Sequence, residues 1–170
     1  AIQIHKDAVK LGDELGLTLN ISKCELIANT GVSVSDPLLR RFQRVDVGDS
    51  TLLGAPLFPG QTLDTFWSER CDEMSRAVDR LSKIASQDAL ILLRASFSAP
   101  RVQHLMRCSP SVDNRNLVTF DDLLRSALTR ITNCNLSDSQ WLQASLTIRE
   151  GSIGVRRVST LALPAYLASA

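Results

Sequence analysis

Between Leu63 and Ile84 the apolar residues return every three or four positions: Leu63, Phe66, Trp67, Cys71, Met74, Ala77, Val78, Leu81 and Ile84. That period lays them on one stripe of a single long helix. The outer face carries Asp72 with Arg76 and Asp79 with Lys83, at the i,i+4 spacing that favours ion pairs. A stripe this long must be covered by other helices, and the downstream sequence supplies them. SQDALILLRASFSA (86–99) is apolar nearly all round and predicts a buried helix. Pro100 interrupts it and opens a second short helix through Met106. Phe120, Leu123, Leu124, Ala127, Leu128 and Ile131 form another stripe. Ser137 to Gln140, SDSQ, is a capping box opening a helix with Trp141 and Leu142 inward. REGSIGVRR contains a glycine turn, and STLALPAYLASA is a last helix bent near Pro164. Trp67 and Trp141 both fall on apolar stripes and are assigned to the core.

Upstream the pattern is different. Ile4, Ala8, Leu11 and Leu15 recur at helical intervals from Ile2 to Leu15, and Gly16 is placed to end that helix. After a corner at Asn20–Ser22, KCELIA reads as a strand, and GVSVSDP and RFQRVDV alternate as strands do. STLLGAPLFPGQ is a short apolar strand running into a Pro/Gly-rich turn at 56–60, the natural internal boundary. The expected fold is therefore α+β. A small β-sheet and hairpin piece (1–60) precedes a mainly helical bundle (61–170). Hydrophobic residues make up 44% and charged residues 22%, enough for a sizeable core and against wholesale disorder.

The net charge of +1 gives no global reason to expect a polyanion. Residues 61–170 do carry thirteen basic against eleven acidic residues, and all the basic ones except Lys83 are arginine. Arginine presents a planar fork suited to phosphate and carboxylate. Cys24, Cys71, Cys108 and Cys134 lie far apart with no CxxC spacing, and neither His5 nor His104 has a plausible ligand partner nearby. They are expected to be reduced, mostly buried thiols of an intracellular protein, nuclear or cytoplasmic, with no zinc. The first residues, AIQIHKDAVK, are no secretory signal, and the longest apolar run, ALILL at 89–93, cannot span a bilayer, so no membrane partner is expected.

Asp121 and Asp122, following Phe120, are the adjacent carboxylates that a Mg²⁺-dependent polymerase turn would use. Thr119 with Asp122 three residues on instead reads as a helix-capping box, the favoured assignment. No Ser/His/Asp order, nucleophile elbow or Walker-type loop is present. From residue chemistry alone the chain holds no self-contained active site.

DAVKLGDELGLTLNISKCELI resembles the segment of reverse transcriptases that directly follows their catalytic Asp-Asp turn. There a helix ends in Gly-Leu, an Asn sits at the corner and a Lys opens the next strand, matched here by Gly16, Leu17, Asn20 and Lys23. LLGAPL is similar to the Leu-Gly hairpin that grips the primer end in these enzymes, matched by Leu52, Leu53 and Gly54. WLQASLTIREGSIGVRRVSTLALPAYLASA is similar to the post-thumb region of reverse transcriptases from non-LTR retrotransposons. Ser152 stands where that family's Gly-Gly-x-Gly turn has its second glycine.

The resemblance implies the end of a polymerase palm, residues 1–60 with a primer-grip hairpin, followed by a thumb and post-thumb region, residues 61–170. It implies an RNA-directed DNA polymerase whose intact form uses Mg²⁺, dNTP and an RNA template/DNA primer duplex. The fingers, earlier palm motifs and catalytic aspartates would lie upstream of residue 1, so this chain alone would be inactive. Lys23 becomes a candidate proton donor to the leaving pyrophosphate, and Arg94, Arg101 and Arg107 become candidate contacts to the duplex. The alternative is a non-catalytic helical module, derived from a retroelement, that binds nucleic acid or protein.

Overall fold

A computed structural model of the chain describes residues 2–28, 37 and 39–169. They fall into two compact units, Ala1–Ser50 and Thr51–Ala170. The hairpin of the LLGAPL segment thus belongs with the helices, and the division comes ahead of the turn at 56–60.

In the first unit, α1 (Ile2–Glu14) ends at Gly16, whose φ of 71° is cheap only for a residue without a Cβ. Asn20 then caps a 3₁₀ turn, Ile21–Lys23: its side-chain oxygen accepts from the Ser22 amide at 3.1 Å and the Ser22 hydroxyl at 2.6 Å. β1 (Glu25–Ile27) follows and pairs in parallel with β2 (Gln43–Val45), Leu26 opposite Arg44. The strand expected over GVSVSDP lies, apart from Pro37, outside the described residues. Among the described residues of this unit only Ser50 is buried.

The second unit opens with a hairpin, β3 (Thr51–Leu52) against β4 (Ala55–Pro56). Helices α2 (Gln61–Leu81), α3 (Ser86–Leu92), α4 (Ala99–Cys108), α5 (Asn116–Thr132), α6 (Asp138–Ala144) and α7 (Val158–Leu167) follow. The described residues are thus mostly helical, with two small sheets, an α+β fold. The α2 stripe packs on α5, and α4 and α5 both pack on α7. Trp67 and Phe120 meet edge to face at the centre, ring centroids 6.3 Å apart, both closed to solvent. The Trp67 indole N–H donates to the Ser111 hydroxyl at 2.9 Å, so the buried ring leaves no polar atom unpaired. Pro100 stands in the first turn of α4, and Ser137 and Gln140 form the capping box of α6.

Leu142, expected to face inward beside Trp141, and Ile84, expected to close the α2 stripe, are 53% and 45% exposed, and four further expectations change. The 86–99 helix is one-sided: Ala89 and Leu93 are buried, whereas Ile91 and Leu92 are 55% and 40% exposed. It also switches at Leu93–Phe97 to a π-helical turn, a widened turn that rotates the residues after it. Asp79 reaches across to Arg130 of α5 at 2.8 Å instead of pairing with Lys83. Of the cysteines only Cys71 is buried. Burial, and secondarily the Asp72 carboxylate, push its thiol up to about 11, so it stays protonated and packs as a small apolar group.

The fourth concerns Asp121. Helix α5 begins at Asn116, so Thr119 and Asp122 cap nothing. Asp121 is 4% exposed and caps the start of α7 instead. Its carboxylate accepts from the Val158 amide at 2.7 Å, the Ser159 amide at 3.3 Å and the Ser159 hydroxyl at 2.5 Å, with Arg157 3.7 Å away. Unpaired amides at a buried helix start are costly, so this one side chain fixes where α7 docks.

Candidate nucleic-acid interface

The hairpin at 51–56 is held at its base and at its tip. With β3 and β4 paired Leu52 to Ala55, only Leu53 and Gly54 remain to turn the chain. Their φ values are 51° and 78°. A two-residue turn with both centres at positive φ matches the twist of a hairpin, and Asn-Gly is its usual content. Gly54 suits its place; Leu53 does not, because a bulky side chain in the left-handed region costs about 1–2 kcal/mol. Nor does burial offset this strain, since Leu53 is 85% exposed and Leu52 57%.

The base of the hairpin is firmly held. Ala55 and Pro56 are buried, and the Ser109 hydroxyl donates to the Pro56 carbonyl at 2.5 Å. At the tip, His104 Nε2 lies 3.1 Å from the Leu53 carbonyl oxygen. A carbonyl only accepts, so Nε2 carries the proton and donates. That leaves Nδ1 as the acceptor for the Cys108 thiol, 3.5 Å away. Leu53, His104 and Arg107 line one groove of about 610 Å³.

The three arginines expected to touch a duplex lie apart from one another. Arg101 binds Glu73 through Nε at 3.2 Å and Nη2 at 2.8 Å, and lines a separate apolar groove with Ile84 and Leu92. Arg107 Nε donates to the Ser169 hydroxyl at 2.9 Å beside the hairpin tip. Arg94, on the π-helical turn, is exposed; its carbonyl accepts from the Ser98 hydroxyl at 3.0 Å, while its guanidinium has no hydrogen-bond or ion-pair partner among the described residues. It shares a groove with Arg149 and Arg156, which the sequence pattern did not single out. They are brought to it by the turn between α6 and α7. Gly154 shapes that turn: at φ 81° a Cβ there would sit 3.0 Å from Ile148 Cγ1 and 3.4 Å from Arg94 Cδ.

In the first unit Lys23 ends the 3₁₀ turn that Asn20 caps, and its side chain is exposed. Among the described residues its ammonium has no partner. The described carboxylates do not fit a two-Mg²⁺ site. Both oxygens of Asp121 are engaged at the start of α7, and no group of three or more His, Cys, Asp or Glu that could hold a metal ion occurs among the described residues. No helix among the described residues is long and apolar enough to cross a membrane.

No protein-family model, curated protein sequence or solved structure matches the chain.

Proposed function

We propose that the chain is the palm-end and thumb segment of a reverse transcriptase of the non-LTR retrotransposon type, an RNA-directed DNA polymerase. Leu53 carries this reading. A solvent-exposed leucine held in a strained turn, where Asn or Gly would relax it, is retained for contact with something else. In this reading Leu52 and Leu53 lie against the sugar of the primer end, and the His104 hydrogen bond keeps the tip from rearranging. The motif order supports it too: Gly16-Leu17, Asn20 and Lys23 form a capped corner, the Leu-Gly hairpin follows, then the helical unit.

Lys23 contributes an exposed ammonium, suited to protonating a leaving pyrophosphate and stabilising its developing charge. In this reading the catalytic carboxylates and the Mg²⁺ they would hold come from parts of the enzyme other than this segment. Alone, the chain extends no primer. The coding sequence immediately upstream of Ala1 is the first test: it should encode an aromatic-x-Asp-Asp turn in frame. A stop codon or unrelated sequence there would favour a non-catalytic binding module. In an enzyme rebuilt with that upstream part, Lys23→Ala should slow nucleotide addition by about 10²- to 10⁴-fold with duplex affinity unchanged. Lys23→Arg should restore little, because guanidinium barely deprotonates. Extension at the parent rate would reduce Lys23 to a solvated corner.

A further inference from the structure

We infer that the furrow between α2 and the wall formed by α3 and the π-helical turn is a docking site for an acidic amphipathic helix of a partner protein. The furrow, of about 400 Å³, runs along one face of α2. Glu73, Arg76, Ala77, Arg80 and Leu81 line that side at three- and four-residue intervals, with Ile84 just past the helix end. From Glu73 to Leu81 it follows α2 for about 12 Å, a little over two turns. Leu92, which ends α3, and Phe97, which ends the π-helical turn, line the opposite wall. Such single widened turns are rare and recur at functional sites. Ala77 and Leu81 form the floor at 6% and 3% exposure, whereas Ile84 and Leu92 line the furrow at 45% and 40%. Two half-open aliphatic side chains facing one furrow are what an apolar helix face packs against.

The charge of the furrow selects its occupant. Glu73 is the one carboxylate lining it among the described residues, and Arg70 at 3.0 Å and Arg101 at 2.8 Å already hold it. The guanidinium groups of Arg76 and Arg80 are exposed, one turn apart, with no hydrogen-bond or ion-pair partner among the described residues. Asp79, next to Arg80 in the chain, is taken by Arg130 at 2.8 Å. Unpaired like charges at i,i+4 slightly weaken a helix by themselves. The free positive charge is thus spaced along the furrow and not gathered at one end. A fatty acid carries a single terminal carboxylate and would answer one arginine. A phosphodiester backbone is charged throughout and gains nothing from an apolar floor. A helix with apolar side chains at successive turns and Asp or Glu one turn apart on its flank answers both features. Its anchors enter the furrow while its carboxylates meet Arg76 and Arg80.

The docking site uses neither Lys23 nor the hairpin, so an upstream sequence without the Asp-Asp turn would sink the polymerase reading and leave it untouched. The test is fluorescence anisotropy of the full chain with two labelled peptides of about 18 residues, long enough to form a helix. One carries leucines at successive turns flanked by Glu; in the other every Glu is replaced by Lys. The Glu peptide should bind at least about tenfold more tightly, and its lead should shrink as salt rises from about 50 to 200 mM. Replacing Arg76 and Arg80 together by Glu should reverse the preference. Ile84→Asn should weaken the Glu peptide about tenfold. Ile91→Asn should leave it unchanged, because Ile91 is 55% exposed but does not line the furrow. All four positions are exposed, so each variant should melt with the parent. If the double variant melts earlier, Arg80→Gln alone must weaken the Glu peptide about two- to fivefold and spare the Lys peptide. Equal binding of the two peptides, or a preference unmoved by the arginine substitutions, overturns the proposal. So does parent-level binding by Ile84→Asn. Failure of the Glu peptide to bind overturns it too, and dodecanoate or an RNA–DNA hybrid bound through the same two arginines would name the occupant instead.

Discussion

Among the described residues, the two units divide the chain into a part with a buried apolar core and a part without one. Thr51–Ala170 closes a continuous set of side chains to solvent, from Ala55 and Leu63 through Phe120 and Leu128 to Val158 and Ala162. Ala1–Ser50 has a capped corner, a helix and a two-stranded parallel sheet, yet leaves Leu11, Leu15 and Leu17 each more than 60% exposed. Two paired strands are at best marginal by themselves. Secondary structure and stability are therefore separate properties here: both units have the first, and among the described residues only the second unit has an apolar interior to sustain it.

The largest expected effect tests that contrast directly. Trp67→Ala should cost about 3–5 kcal/mol in urea unfolding, whereas Leu17→Ala should cost less than about 0.5 kcal/mol. Amides in the middle of α2 and α5 should exchange with solvent slowest and those of α1 fastest; equal protection of the two units would break the comparison. Next comes Asp121→Ala, which strips the Val158 amide of its partner inside the core and should cost about 1–3 kcal/mol.

Asp121 also carries a pH signature. Burial pushes its carboxyl up from the ordinary value, outweighing the Ser159 and Val158 hydrogen bonds and the Arg157 charge that pull it down. A carboxyl raised in the folded state contributes most below its unfolded pKa, and that contribution fades as pH rises through the folded value. The stability of the parent relative to Asp121→Asn should therefore improve on acidification through that window and level off at its lower end. Melts of both proteins from pH 7 down to about 4 would show it. A difference that moves the other way would mean the hydrogen bonds outweigh burial.

Smaller effects come from the backbone. Gly154→Ala should destabilise by about 1–2 kcal/mol, from left-handed strain and the crowding against Ile148. Leu53→Asn should stabilise by about 1 kcal/mol by relaxing the hairpin turn. If it destabilises, Leu53 is serving the fold, and the case for an outward contact collapses.

Much of the second unit was legible because its signals are local and periodic. The stripe from Leu63, the stripe from Phe120, the start at Pro100 and the Ser137 box each depend on residues within a few positions of one another. What escaped is long-range or aperiodic. Thr119 and Asp122 have capping spacing, but the amides Asp121 serves lie 37 and 38 residues downstream. The apolar run at 89–93 has no period, so nothing in it distinguished a buried helix from a one-sided one. Of the basic groove only Arg94 could be picked out. Arg149 and Arg156 join it through a turn whose geometry depends on Gly154, and an isolated glycine says little about which distant side chain it admits. The Leu53 strain was invisible for a similar reason: LLG reads as an ordinary apolar stretch until pairing fixes which two residues must turn.

The Asp121 cap also imposes an order on synthesis. A ribosome adding about 5–20 residues per second delivers Val158 about 2–7 s after Asp121. Helices form within about a microsecond, so α5 can wind long before its buried carboxylate has any amide to receive. During those seconds Asp121 must stay hydrated, and the face of α5 that carries it must stay open. The emerging chain therefore completes its interior from the far end, when the last helix arrives to cover the one acidic group that the first helices could not afford to enclose.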